Sequence, residues 1–550
     1  MVADRRRWHG TALLPVDRTS RSAYPARRRP TIRARRGRLP PPGLSRSSKT
    51  SRPLRCHRGG PRPLKARPRS ASPKEESLDV PLRLSPATMR DLGYRAVDEV
   101  VAHLATLRDR PVGAPPDREE IEAFMDASLP KGPRDAIEVM REAVEHVREF
   151  TVRTDHPRFL AYIPGPSTYV GAVADFLASG FNVFAGQWLV GSGPAVMERI
   201  TIDWLRTVCG FPPTAGGLFV SGGTMANLIA IHAARTRSGG RSGPVYVTSQ
   251  THGSIRQGLG FIGFGEERIR FVGTDDRQRM DPASLRERIM RDLDAGLRPS
   301  CVVATAGSTS TGAVDPLDDL ADLCAEHGLW LHVDGAYGAA AVLSESAGDL
   351  LRGLSRADSL ALDPHKWWYQ PYEAGCVLVR DETALIDAYS MNAEYLRETR
   401  HGTAPLNFYD LGPQLTRGFR ALKMWMSFKT FGLEEFRRAV EHGIALAEHA
   451  EALLSDGDRW EVVSPAQLAI VTFRPVLDGA TPDQVDAVTR EIAASTLRDG
   501  FALVLTTEIG DRPVLRLCVT HPETTAHDIE ETVALLERLA DDASPPQFRR

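Results

Sequence analysis

Between residues 217 and 380 the chain carries seven short apolar runs, separated by helical or loop stretches. They are Gly217–Ser221, Val245–Ser249, Ile269–Val272, Cys301–Thr305, Leu329–Asp334, Ser359–Asp363 and Gly375–Arg380. Strands buried on both faces read as continuous apolar runs rather than as alternations. Their regular spacing by helices predicts an α/β unit, a mostly parallel sheet with helices on both faces, from about 168 to 380. In such a sheet the ligand site lies outside the carboxyl ends of the strands, so the residues that follow each run deserve the closest reading.

Three of those run ends carry matching chemistry. SGGTMAN at 221–227 places two glycines and a hydroxyl residue between a strand and a helix start, where backbone N–H groups and the helix dipole favour an anion. Gly223 and Thr224 are the expected contacts. HVDGAY at 332–337 puts Asp334 at the end of a strand. DPHKWW at 363–368 puts Lys366 after a strand and a proline turn, beside bulky apolar groups, where partial burial would make it a nucleophile. Taken singly, each has an ordinary reading as a turn glycine, a capping aspartate or a loop lysine. Together they meet the needs of pyridoxal phosphate: a phosphate cradle, a carboxylate at the pyridine nitrogen and a lysine for a Schiff base. His252, in THGS after VYVTS, is placed to stack on such a ring.

Outside this region the reading is coarser. Residues 86–107 form an amphipathic helix by spacing, with Val97, Val100, Val101, Leu104 and Leu107 on one face, and 134–151 a second. An isolated helical arm must pack on something, and a partner subunit is the natural surface. Two long helices are expected at 414–431 and 434–455. Strand-like LAIVTF, ALVLTT and VLRLCV then alternate with helices at 482–497 and 525–542, which suits a small α+β domain. Residues 1–76 are rich in Arg, Pro and Ser, as at Arg27–Arg29, and nearly free of acidic groups. That stretch cannot bury enough surface to order itself. A transit peptide, a basic arm and upstream sequence translated from a misplaced start all fit it.

Composition excludes several classes. The formal net charge is −1, which speaks against a polyanion partner for the chain as a whole. No run is long and apolar enough to span a membrane. The six cysteines are scattered without a CxxC pair, as expected for buried thiols in a reducing, cytoplasmic setting, and no metal site is indicated.

On these motifs the chain resembles the group II pyridoxal-phosphate decarboxylases, which include aromatic-L-amino-acid and glutamate decarboxylases. The resemblance runs from about Leu84 to about Leu539 and takes in HPRFLAYIPGPSTY at 156–169, FAGQW at 184–188 and FRALKMWMSFKTFG at 419–432. It implies a fold-type I, aspartate-aminotransferase-like architecture. A helical arm (77–167), a large cofactor domain with a seven-stranded sheet (168–420) and a small α+β domain (421–550) would form a homodimer with composite active sites. By resemblance Lys366 is the Schiff-base lysine, Asp334 the pyridine-nitrogen partner, Ala336 the small residue under the ring and His252 the stacking histidine. Gly223 and Thr224 match the phosphate cradle, and Ser308, Asp363 and His365 are further cofactor contacts. Asp363 stands where the family often has Asn. A carboxylate near phosphate is repulsive unless a base pairs with it. Tyr395, in AEYLRETRHG at 393–402, matches a mobile-loop tyrosine that returns a proton to Cα. Keeping both Tyr395 and His252 favours an amine product over the aldehyde made by oxidative relatives.

The substrate is expected to be an aromatic or bulky apolar L-amino acid. Tyr162, Ile163 and Pro164 would form part of the pocket, with Phe184 entering from the partner subunit. Trp188, Trp367, Trp368 and Tyr369 add rings that serve either the pocket or the core. Arg516, in VLRLCV, could meet a substrate carboxylate, and a structural ion pair would explain it equally well.

Overall fold

A computed structural model describes residues 81–548, apart from 116, 126, 241, 242 and 391–406. From Arg83 onward the chain packs as one unit. Two sheets organise it. The first contains β1 (Gly216–Val220), β2 (Val245–Val247), β3 (Ile269–Phe271), β4 (Cys301–Thr305), β5 (Trp330–Asp334), β6 (Ser359–Leu362) and β7 (Gly375–Val379). Their spatial order is β1-β7-β6-β5-β4-β2-β3. β7 runs antiparallel to both neighbours, and the other pairs are parallel. β1, β4, β6 and β7 are buried along their whole length, as the unbroken apolar runs predicted. The second sheet is antiparallel. It joins β8 (Trp460–Gln467), β9 (Ile470–Pro475), β10 (Leu505–Ile509) and β11 (Arg512–Cys518) in the order β10-β11-β9-β8.

The helices follow the expected periodicity closely. Pro86–Thr106 begins with Pro at its first position, and Ser85 Oγ accepts from Thr88 N at 3.0 Å. Ala136–Glu149, Pro482–Asp499 and Ala526–Ala543 occupy the other predicted spans. The pair expected at 414–431 and 434–455 is present as two helices within Ala421–Ser455 that meet at a kink at Gly432, φ 74°. Its start is later than expected because Arg417 is drawn into the core. The guanidinium donates to Glu198 Oε1 at 2.6 Å, to Phe219 O at 2.7 Å and to Ala185 O at 3.0 Å, while Phe219 N donates to the same Glu198. β8 escaped the sequence reading because register shifts at 462–464 and 464–467 break its alternation.

The main core fills the faces of the seven-stranded sheet, and a second cluster lies under the antiparallel one. The helix Pro86–Thr106 buries none of its residues; only Leu107, just beyond it, is enclosed.

Candidate active site

The carboxyl ends of β4, β5 and β6 open together with the loop after β1 onto a cavity of about 420 Å³. β1 leads through Ser221 and Gly222 into the helix Gly223–Arg237, whose start has no side-chain cap. Its first amides are therefore free to meet an anion. Gly223 must be glycine here: a Cβ would lie 2.8 Å from Asp363 Oδ2 and 3.0 Å from Ala336 Cβ.

Asp334 ends β5 and is 7% exposed. Its Oδ1 accepts from Ala336 N at 3.1 Å and its Oδ2 from Asn227 Nδ2 at 3.0 Å. Parallel pairing sets Thr305 of β4 opposite it, and the Thr305 hydroxyl is buried without a partner among the described residues. Asp363, after β6, is 2% exposed and tied back to the Asp334 loop by its N–H on Ala336 O. Lys366 Nζ lies 3.1 Å from Asp363 Oδ2, and His365 Nε2 lies 3.6 Å from the same oxygen. Burial pushes the His365 imidazole below the usual histidine range. Its Nδ1 accepts from Ala374 N at 3.1 Å, which fixes the ring. Lys366 thus supplies the base that Asp363 was expected to need.

His252 caps the helix Gly253–Phe261: Ser254 N donates to its Nδ1 at 3.2 Å. In the neutral ring the proton then sits on Nε2, which leaves a donor on the other edge of the imidazole.

The structure gathers Gly223, Thr224, His252, Asp334, Ala336, Asp363, His365 and Lys366 around this one cavity. Ser308 does not line the cavity. Its neighbours Gly307 and Thr309 reach the cavity, but its own hydroxyl is buried in its turn, 2.9 Å from Thr311 Oγ1 and accepting from Thr311 N. Tyr162, Ile163, Pro164 and Phe184 do not line the cavity within one chain; Tyr162 is 62% exposed with φ 52°. Trp367 and Trp368 are core. Trp367 stacks on Tyr337 with ring centroids 5.0 Å apart, and Trp368 meets Phe428 edge-on. Arg516 is buried and donates to Thr309 O at 2.6 Å, with no ion pair among the described residues. Tyr395 lies outside the described residues. Sequence reasoning missed Asn227, Gln250, Thr305 and Tyr337 on the cavity wall. Asn227 was within reach of it, since four residues after Gly223 is the same face of a helix.

These residues fit pyridoxal phosphate. The space a Cβ would fill at Gly223, the uncapped helix start, the unpartnered Thr305 hydroxyl and the unpartnered Asp363 Oδ1 all face one cavity that also holds a lysine and a carboxylate.

Comparison with known proteins agrees with that geometry. Residues 118–476 match the family model described as the pyridoxal-dependent decarboxylase conserved domain. The chain is 43% identical over 468 residues to an aromatic-L-amino-acid decarboxylase of Bacillus atrophaeus, covering 84% of this chain and 98% of that one. It is 27% identical to a phenylacetaldehyde synthase of Arabidopsis thaliana, over 82% of this chain and 96% of the other. Among solved structures, Oryza sativa TDC with PLP and tryptamine superposes with a TM-score of 0.78 at 29% identity, covering 84% of this chain and 99% of that one.

Proposed function

The chain belongs to the pyridoxal-dependent decarboxylase family and is a fold-type I, pyridoxal-phosphate-dependent carboxy-lyase acting on an amino acid, and from that premise we propose that it converts an aromatic L-amino acid to its amine and CO2. The observation that carries this reading is the single cavity in which Lys366, Asp334, His252 and the uncapped helix start converge. The 43% identical aromatic-L-amino-acid decarboxylase supports the substrate class.

Bound pyridoxal phosphate supplies an electron sink for the pair left on Cα when CO2 departs. The chain's own residues do the rest. Lys366 would hold the cofactor through its aldehyde. Asp334 would hold its ring nitrogen, and Ala336 would leave room for the ring. Gly223 and Thr224 bind the phosphate, beside Asp363 and His365. The Nε2–H of His252 is the donor for the substrate carboxylate. Tyr395 returns a proton to Cα, which directs the outcome to an amine. Asp363 Oδ2 lies 3.1 Å from Lys366 Nζ and would hold that side chain in place.

The enzyme works as a homodimer, with Tyr162, Ile163 and Pro164 forming part of the pocket and Phe184 entering it from the partner subunit. The supporting surface is apolar. Val97, Val100, Val101 and Leu104 are 39–48% exposed on one helix, and Phe176, Phe181, Leu189 and Val190 are exposed on the segments that follow. A cytoplasmic setting is supported by the buried free thiols of Cys209, Cys301, Cys324, Cys376 and Cys518. Among the described residues no helix is long and apolar enough to cross a membrane.

The test is stoichiometric CO2 and amine from purified protein given L-tryptophan, L-tyrosine and L-phenylalanine. Lys366→Ala is expected to lower kcat/KM by roughly 10³-fold, within the range a catalytic proton-transfer or nucleophilic group contributes, with the melting temperature held. Aldehyde and ammonia in place of amine would move the chain to the oxidative branch, and no CO2 from any of the three would end the aromatic assignment.

A further inference from the structure

Asp334 is the inner end of a line of polar groups that runs away from the cavity along β5. Its Oδ2 accepts from Asn227 Nδ2 at 3.0 Å. Asn227 Oδ1 lies 2.9 Å from His332 Nε2. His332 Nδ1 lies 2.9 Å from Ser359 Oγ, and Trp330 Nε1 donates to that oxygen at 2.8 Å. Asn227, His332 and Ser359 are 2%, 0% and 0% exposed, so the line is shielded from bulk solvent. Trp330, His332 and Asp334 sit at alternate positions of one strand and therefore share a face.

Elementary chemistry gives this line a direction. A carboxylate only accepts, so the amide nitrogen of Asn227 must face Asp334 and its oxygen must face His332. His332 Nε2 must then carry a hydrogen. Burial holds the imidazole down to about 4, so at neutral pH the ring is neutral and Nδ1 is bare. Nδ1 accepts the Ser359 hydroxyl hydrogen, and Ser359 oxygen accepts the indole N–H. Every one of the four bonds donates toward Asp334. Bonds aligned in this way polarise one another toward the end acceptor.

We infer that Asn227, His332 and Ser359 are positioning residues: a directed relay that orients the Asp334 carboxylate toward the ring nitrogen of the bound cofactor and strengthens its hold there. This rests on the reading that Asp334 meets that nitrogen. Asn227 is the link on which the rest depends, because its side chain bonds both Asp334 and His332 from the helix after β1.

The experiment uses resolved apoenzyme rebound to pyridoxal phosphate labelled with 15N in the ring. Affinity is measured by equilibrium dialysis and ring protonation by the 15N shift. Asn227→Leu and His332→Gln are each expected to weaken cofactor binding roughly tenfold, the size of a lost hydrogen bond to a charged group. Both should also move the ring resonance toward the unprotonated value. Thr489→Val removes a buried hydroxyl bonded to Val485 O in the other part of the molecule, and should change neither. Asp334→Asn must move the ring resonance; if it does not, the reading of Asp334 itself is wrong. If Asp334→Asn moves it while Asn227→Leu and His332→Gln leave both affinity and resonance at the unsubstituted values, the relay is overturned and Asp334 stands alone. Should the two relay variants fail to fold, the His332 ring is read by 15N NMR in unsubstituted protein. A neutral ring protonated at Nε2 is expected at neutral pH, and a ring protonated at Nδ1 overturns the direction.

Discussion

The cavity wall and the helix Pro86–Thr106 solve opposite problems. Around the cavity three of the titratable side chains find partners within the chain: Asp334 through Asn227, Asp363 through Lys366, His365 through Ala374. The helix does the reverse. It is capped, regular and apolar on one face, yet Val97, Val100, Val101 and Leu104 on that face stay 39–48% exposed. A site assembled from one chain's strand ends can be described from one chain, whereas an arm is described only by what it leaves uncovered. Large uncovered apolar faces on folded proteins mark surfaces for other molecules.

Three measurements press on that contrast. The largest effect is expected inside. Glu198→Ala leaves the buried Arg417 guanidinium without its counter-charge and unties β1 from the helix Trp188–Val208. Breaking such a pair costs about 3–5 kcal/mol, and urea unfolding reads it. A cost below about 1 kcal/mol would mean that the interior is less self-contained than the hydrogen bonds indicate.

The next is pH. Burial lowers the imidazoles of His156, His332 and His521 to about 4, from the ordinary 6.5. The unfolded chain therefore binds more protons than the folded one between those values. Their contribution is complete above about pH 6.5 and is lost as pH falls toward 4, on the order of 3 kcal/mol for His332 alone. Asp315 works the other way: burial raises it to about 6, so its contribution falls as pH rises through that value. Three histidines outweigh one aspartate. The melting temperature should thus drop from pH 6.5 to pH 4, and a flat profile would remove the histidines from the account.

The smallest stability effect belongs to the arm. Val97→Asp with Leu104→Asp alters residues that are 43% and 39% exposed. It should change the unfolding free energy of an isolated chain by no more than about 0.5 kcal/mol. The same pair should halve the mass in sedimentation and lower decarboxylation with it. An unchanged mass would leave the face without the partner assigned to it.

The sequence showed the strand ends well, because buried parallel strands announce themselves as apolar runs and the chemistry sits just after them. Lys366, Asp334, Gly223 and His252 are all legible that way. Three things were not. Trp367 and Trp368 look the same in sequence whether they face a ligand or the core, and only packing against Tyr337 and Phe428 decides. Ser308 matched a pattern, but its hydroxyl had a nearer use in its own turn. The Asn227–His332–Ser359 line joins residues more than a hundred positions apart, and no local spacing encodes it.

The strand order bears on how the molecule assembles during synthesis. β4, β5 and β6 lie side by side in the order in which they are made, so their pairing can begin early and locally. β1 is made before all of them, yet within its sheet it touches only β7, at residues 375–379. The glycine turn at 221–223 must therefore wait for most of the large sheet to be translated before it is held in place, which makes cofactor capture a late event and one that certifies a finished sheet.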